Sequence, residues 1–199
     1  VIPPKIPGTA EVLDHFVGLH PFSDVLDLGS GVGHLWSHLE GKRVVAVDLT
    51  PPEQVLLRPW VQYVQADLMG WTTAWRPQAM ICSHVVEHMQ DTRAFLLKMF
   101  SFLDEGRPWC LMWPPPQPGI RSEHVHHFPM GLMLYNLVSA GIDCRSVRMV
   151  RKNYTLGIIG LKKQAHPPAN NDLEIVGSMF PFQAKHNFPG DNPPGIVDL

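Results

Sequence analysis

The chain has 199 residues and a formal net charge of −2, with 16 Lys and Arg against 18 Asp and Glu. This length fits one domain with a sizeable core, and the near-neutral balance, without a Lys/Arg block, argues against a duplex nucleic-acid binder. No apolar run approaches the roughly 18–20 residues of a membrane span, and the proline-broken start Val1–Pro7 does not read as a signal peptide. Charged residues make up only 17%, while proline reaches 20 and histidine 11. Three cysteines, Cys82, Cys110 and Cys144, sit in apolar runs and read as buried thiols of a cytoplasmic protein rather than a disulfide frame.

Four prolines lie in residues 1–21, six in 164–199, and the other ten in between. The expected organisation is a leader over 1–21, a folded core over 22–163 and a Pro-rich extension over 164–199. The extension also carries Leu173, Ile175, Val176, Met179, Phe180, Phe182 and Phe188. That is too apolar for a solvated tail, so it is expected to pack on the core or on a second subunit of a homodimer.

Within the core, strands and helices alternate. Asp24–Leu28 is a short buried-strand run that ends at the glycine loop Gly29-Ser30-Gly31-Val32-Gly33. Leu35 and Leu39 at helical spacing predict a helix opening from that loop. Arg43–Asp48 and Val61–Gln65 read as the second and third strands, the third near an edge because it alternates. Ala79–Cys82 is a fourth. Asp91–Leu103 predicts a helix capped by Asp91, with Phe95, Leu96, Met99, Phe102 and Leu103 on one stripe. Trp109–Trp113 is a fifth strand, and Leu132–Ala140 a further helix closed by Gly141. Strand-like runs follow at Asp143–Arg151 and Tyr154–Lys162. Near-continuous apolar strands alternating with helices mean a mostly parallel sheet covered on both faces.

The glycine loop brings backbone close to a ligand, and unpaired N–H groups of a helix start would face it. Its Gly-x-Gly-x-Gly spacing differs from the dinucleotide and phosphate-loop patterns. Asp48 ends the second strand, where a carboxylate can accept from both hydroxyls of a ribose. Asp67 ends the third, where it can accept from an exocyclic amine while the Leu68 N–H reads a purine nitrogen. Three such signals at successive strand ends line one crevice at the carboxyl edge of the sheet.

Val25–Gly33, Val45–Asp48 and Gln65–Leu68 together resemble a class I S-adenosylmethionine-dependent methyltransferase. Ile81–Asp91 and His124–Pro129 resemble segments of its small-molecule branch, which includes the ubiquinone and menaquinone methyltransferases. The resemblance covers about residues 22–163. It implies a Rossmann-like, doubly wound, seven-stranded sheet and S-adenosylmethionine as cofactor. It also implies that Asp27, Gly29, Gly31 and Gly33 shape the methionine pocket and that Asp48 holds the ribose. Asp67 and Leu68 would read adenine, and Ser83 would lie near the sulfonium. The methyl group would pass to a small-molecule acceptor, oxygen ahead of nitrogen or carbon. The departure is Trp113-Pro114-Pro115-Pro116-Gln117-Pro118, which reads as a stiff substrate loop.

His84, His88, His124, His126 and His127 fall in loops expected beside the methyl group. They are polar loop residues, or one is a general base, or several join Glu87 or Glu123 around a divalent metal, or no base is needed. The base assignment goes to His127 or His88, and no metal ligand set is assigned. His84-Val85-Val86-Glu87-His88 also spells H-x-x-E-H, two zinc-binding histidines on one helical face, with Glu174 as a third ligand. That zinc-hydrolase reading leaves the glycine loop, Asp48 and Asp67 unexplained. A methyltransferase-like partner subunit without catalysis is the remaining alternative. Trp71 and Trp75 are placed as a cover for adenine.

Overall fold

The computed structural model describes residues 4–117, 123–165, 178–181 and 195–199. Five parallel strands form one half of the sheet: β1 (Asp24–Leu28), β2 (Arg43–Asp48), β3 (Val61–Gln65), β4 (Ala79–Ser83) and β5 (Pro108–Trp113). β6 (Arg148–Lys152) and β7 (Thr155–Leu161) follow, with β7 antiparallel to both β5 and β6. The strand order is β3-β2-β1-β4-β5-β7-β6-β8. β8 (Ile196–Asp198) runs parallel to β6 and comes from the extension, which makes eight strands where seven are expected from sequence. A three-residue partner with alternating apolar character gives almost no sequence signal, so it is invisible until its neighbour is known.

The chain leaves β1 first toward β2 and then, through β4, toward the other side. Leu28 is level with both Val47 and Cys82 in the ladder, so the ends of β1, β2 and β4 meet at one edge. This reversal of winding is where open α/β sheets form a ligand crevice.

Helices α2 (Thr92–Ser101) and α3 (Met130–Ser139) cover one face. Phe95, Leu96 and Met99 of α2 and Met133, Leu134 and Leu137 of α3 close over Leu26, Met80, Trp109 and Leu111. The Asp91 carboxylate caps α2 by accepting from the Ala94 amide at 2.8 Å. The other face is covered by α1 (Thr9–Leu19), whose Val12, Leu13 and Phe16 pack with Val25, Ala46, Ile81, Cys110 and Val150. Each such buried aliphatic contributes on the order of 1.5–3 kcal/mol. The stretch set apart in sequence as a leader therefore carries an 11-residue helix that seals half of the core.

The helix expected after the glycine loop is absent. A four-residue 3₁₀ turn, Trp36–Leu39, takes its place. Gly33 and Gly41, both in the left-handed region, bracket too short a segment for a costly helix nucleus. The Trp36 indole N–H also donates to Asp27 Oδ2 at 2.9 Å, which pulls this turn down onto β1.

Of the extension, the described parts lie on the chain's own core. Phe180 is buried there, the Met179 carbonyl accepts from the Cys144 amide at 3.1 Å, and Arg151 pairs with Asp198 at 2.7 Å. Leu173, Glu174, Ile175, Val176, Phe182 and Phe188, and Pro118 of the proline run, lie outside the described residues. Among the described residues no helix is long and apolar enough to cross a membrane. The three cysteines are buried and free, and burial raises all three thiol pKa values.

Candidate active site

At the carboxyl edge, where β1, β2 and β4 end, a cavity of about 410 Å³ opens, within the range of small-molecule sites. Gly29, Gly31, Ser30, Asp27, Asp48, Asp67, Leu68 and Ser83 all line it, bringing together most of the sequence-derived site. Gly33 does not line it. A Cβ at Gly33 would lie 2.3 Å from the Trp36 ring, so this glycine serves the packing under the loop. Gly31 is the opposite case: its φ is +55°, nothing stands within 4 Å of a Cβ built there, and its open side belongs to the cavity wall.

Asp48 fixes the loop. Its Oδ2 accepts from the Gly31 amide at 2.8 Å, and its Oδ1 from the Thr50 amide at 2.8 Å and hydroxyl at 2.6 Å. With two lone pairs per oxygen, this leaves Oδ2 room for one ligand hydroxyl rather than the two expected. Asp67 is exposed, and its Oδ1 accepts from the Met69 amide at 2.9 Å in a tight turn. Trp71 packs on Phe102 with ring centroids 5.1 Å apart, and Trp75 lies under the Arg43 guanidinium at 5.0 Å. Neither is among the residues lining the cavity; both are held by local packing partners.

Asp27 is the most perturbed group at the site. It is buried, its Oδ2 is taken by Trp36, and its Oδ1 has no partner. Burial pushes its pKa up to about 7, the Trp36 bond lowers it, and nearby Asp48 adds to the rise. The Ser30 hydroxyl is likewise buried without a partner. Unpartnered buried polar atoms beside a cavity are what a polar ligand would satisfy.

The two histidine loops meet just beyond the end of β4. His84 leaves β4 with φ +56°, a left-handed conformation rare for a non-glycine residue. Val86–His88 form a single 3₁₀ turn. The two histidines of H-x-x-E-H therefore do not share a face of an α-helix, which removes the zinc-hydrolase arrangement. The Glu87 carbonyl accepts from the Val125 and His126 amides at 2.9 and 3.2 Å, docking the second histidine loop onto the first. His88 Nδ1 donates to the Glu123 carbonyl at 2.6 Å. His127 Nδ1 accepts from the Gln117 amide at 3.3 Å, and His127 is not among the residues lining the cavity, whereas His84 and His88 are.

Sequence reasoning missed one wall. Lys5, Ile6, Thr9 and Ala10 line the cavity, as do His34, Leu35 and Leu49. The first group lies in a proline-broken stretch without periodicity, so no sequence signal marks it.

A protein-family profile described as a methyltransferase domain matches residues 9–113. The chain belongs to that family. Solved methyltransferases share its fold. The 1,6-didemethyltoxoflavin-N1-methyltransferase of Burkholderia thailandensis, with bound S-adenosylhomocysteine, is 19% identical with TM-score 0.63, over 79% of this chain and 78% of that one. The magnesium protoporphyrin IX methyltransferase of Synechocystis PCC 6803 is 17% identical with TM-score 0.60, over 78% and 82%. Human N-acetylserotonin methyltransferase, in complex with S-adenosylmethionine, is 15% identical with TM-score 0.63, over 79% of this chain and 52% of that one. No curated protein matches the chain. Family and fold make it an S-adenosylmethionine-dependent methyltransferase with a Rossmann-like sheet.

Proposed function

We propose that this methyltransferase moves the methyl group of S-adenosylmethionine to an oxygen of a small-molecule acceptor, and that the cavity at the carboxyl edge holds the cofactor. The observation that carries the placement is Asp27 Oδ1, buried without a partner in the cavity wall and suited to the cofactor's ammonium group. Gly31 leaves room for the methionine part, Asp48 Oδ2 takes one ribose hydroxyl, and Asp67 with Leu68 lies at the adenine end. Ser83 and Gly29 close the wall between them, and Gly33 supports the loop from beneath. When bound, the cofactor supplies a methyl group activated on a sulfonium.

His88 is better placed than His127 to take the acceptor's proton. Its Nδ1–H is committed to the Glu123 carbonyl, which leaves Nε2 as the basic atom of the neutral ring, and the residue lines the cavity. His127 already uses its Nδ1 as an acceptor. The family match starts at residue 9 and α1 seals the core, which supports a catalytic unit beginning at that helix rather than at residue 22. The buried thiols support the cytoplasm as its compartment.

Titration calorimetry with S-adenosylmethionine tests the placement. Binding should weaken at least tenfold in Asp27→Asn and Gly31→Val, and absence of binding at millimolar cofactor rejects it. A panel of phenols, catechols and amines, read by mass spectrometry for methylated product, tests the acceptor atom. Methylated amines without methylated hydroxyls would reject the oxygen assignment.

A further inference from the structure

We propose that Glu87, His88 and His124 form a binding site for a first-row divalent cation, zinc above the others, beside the cavity that His88 lines. One ligand atom from each of the three lies within 4.8 Å of the other two. Glu87 is 1% exposed, yet both carboxylate oxygens lack a hydrogen-bond partner. His84 Nδ1 stands 3.3 Å and His88 Nε2 3.9 Å from Oε1, neither aligned as a hydrogen bond. A buried carboxylate is costly unless something compensates its charge, and here imidazoles surround it.

The tautomer of His88 points the same way. Metal-binding histidines usually donate the other ring N–H to a carbonyl or carboxylate, as His88 Nδ1 does to the Glu123 carbonyl at 2.6 Å. The lone pair of Nε2 then faces Glu87. The His124 ring packs edge-on to His88 with centroids 4.9 Å apart, which brings its nitrogens to the same point. Ligand atoms around a tetrahedral zinc stand about 3.3 Å apart, so the cluster must contract. The partly exposed His88 and His124 side chains can rotate to do so.

Two histidines and a carboxylate are a donor set that suits zinc and leaves a fourth position open. The existence of the site does not depend on the methyl-transfer reading; its use in catalysis does. The base role of His88 belongs to the metal-free protein; with the cation bound, its Nε2 is a ligand. A hydroxyl acceptor in the fourth position would then release its proton to water, leaving its oxygen on the cation.

The full-length protein, stripped with chelator, is titrated with Co²⁺ and followed by visible d–d absorption, then challenged with Zn²⁺. One equivalent should bind and be displaced by zinc. His88→Ala, His124→Ala and Glu87→Gln should each weaken binding at least tenfold, with His126→Ala unchanged as the control. No d–d band at one equivalent overturns the site, as does wild-type affinity in His124→Ala, which would put the ion on other histidines. If Glu87→Gln or His88→Ala fails to fold, the more superficial His124→Ala decides alone. Calorimetry with S-adenosylmethionine on the metal-free protein answers the methyl-transfer reading separately.

Discussion

Asp27 is a carboxylate kept dry at the end of a buried strand. Its pKa near 7, against an ordinary 3.8, means the folded protein holds a proton that the unfolded chain releases. The sign follows from linkage: this group favours folding most at low pH, and its contribution falls as pH rises from about 4 to about 7. An ammonium ligand reverses the preference by stabilising the charged form. Affinity for S-adenosylmethionine is therefore expected to drop toward tenfold per unit as pH falls below about 7, and Asp27→Asn should flatten that profile in calorimetry from pH 5.5 to 8. The same variant keeps an acceptor for Trp36, so its Tm at pH 8 should equal or exceed that of the wild type. The acidic residues at the strand ends were legible because each stops an apolar run. The orphaned Asp27 oxygen and the crowding on Asp48 were not, because they depend on Trp36 and Gly31 folding back onto the two strands.

At the scale of elements, the start of α1 is tied to the sheet by one buried hydroxyl. Thr155 Oγ1 donates to the Pro7 carbonyl at 3.0 Å, meets Thr9 Oγ1 at 3.1 Å, and lies 3.4 Å from His84 Nε2. It thereby ties the start of α1, the first residue of β7 and the strained exit of β4. Thr155→Val conserves volume and leaves the Thr9 hydroxyl without this partner. A loss of about 1–3 kcal/mol is expected, with residues 4–10 exchanging amide hydrogens faster in a deuterium-exchange measurement. Because those residues line the cavity, cofactor affinity should fall with them. The parallel strands could be read from sequence because their apolar runs are continuous and bounded by glycine, proline and aspartate. The turn after the glycine loop and helix α1 could not. The first carries leucines at helical spacing but is cut short by Gly33 and Gly41, and the second is masked by its proline-rich surroundings.

Over the whole molecule, the sheet divides its labour. The parallel half builds the cavity, β7 reaches its wall through Thr155, and β6 and β8 lie at the other end of the strand order. β8 covers the outer edge of β6, which would otherwise present unpaired backbone groups to other chains. Removing Ile196–Leu199 is expected to produce concentration-dependent self-association in size-exclusion chromatography, with cofactor affinity unchanged. A matching loss of cofactor affinity would show that the two halves are coupled. The strand directions carry one more consequence. β7 runs antiparallel to β5, and β8 runs parallel to β6, so Leu161 and Ile196 both sit at the rim opposite the cavity. The stretch between them is anchored on the far side of the molecule at both of its ends. That rim is a place to graft a reporter or an affinity handle while the mouth of the cavity stays unobstructed.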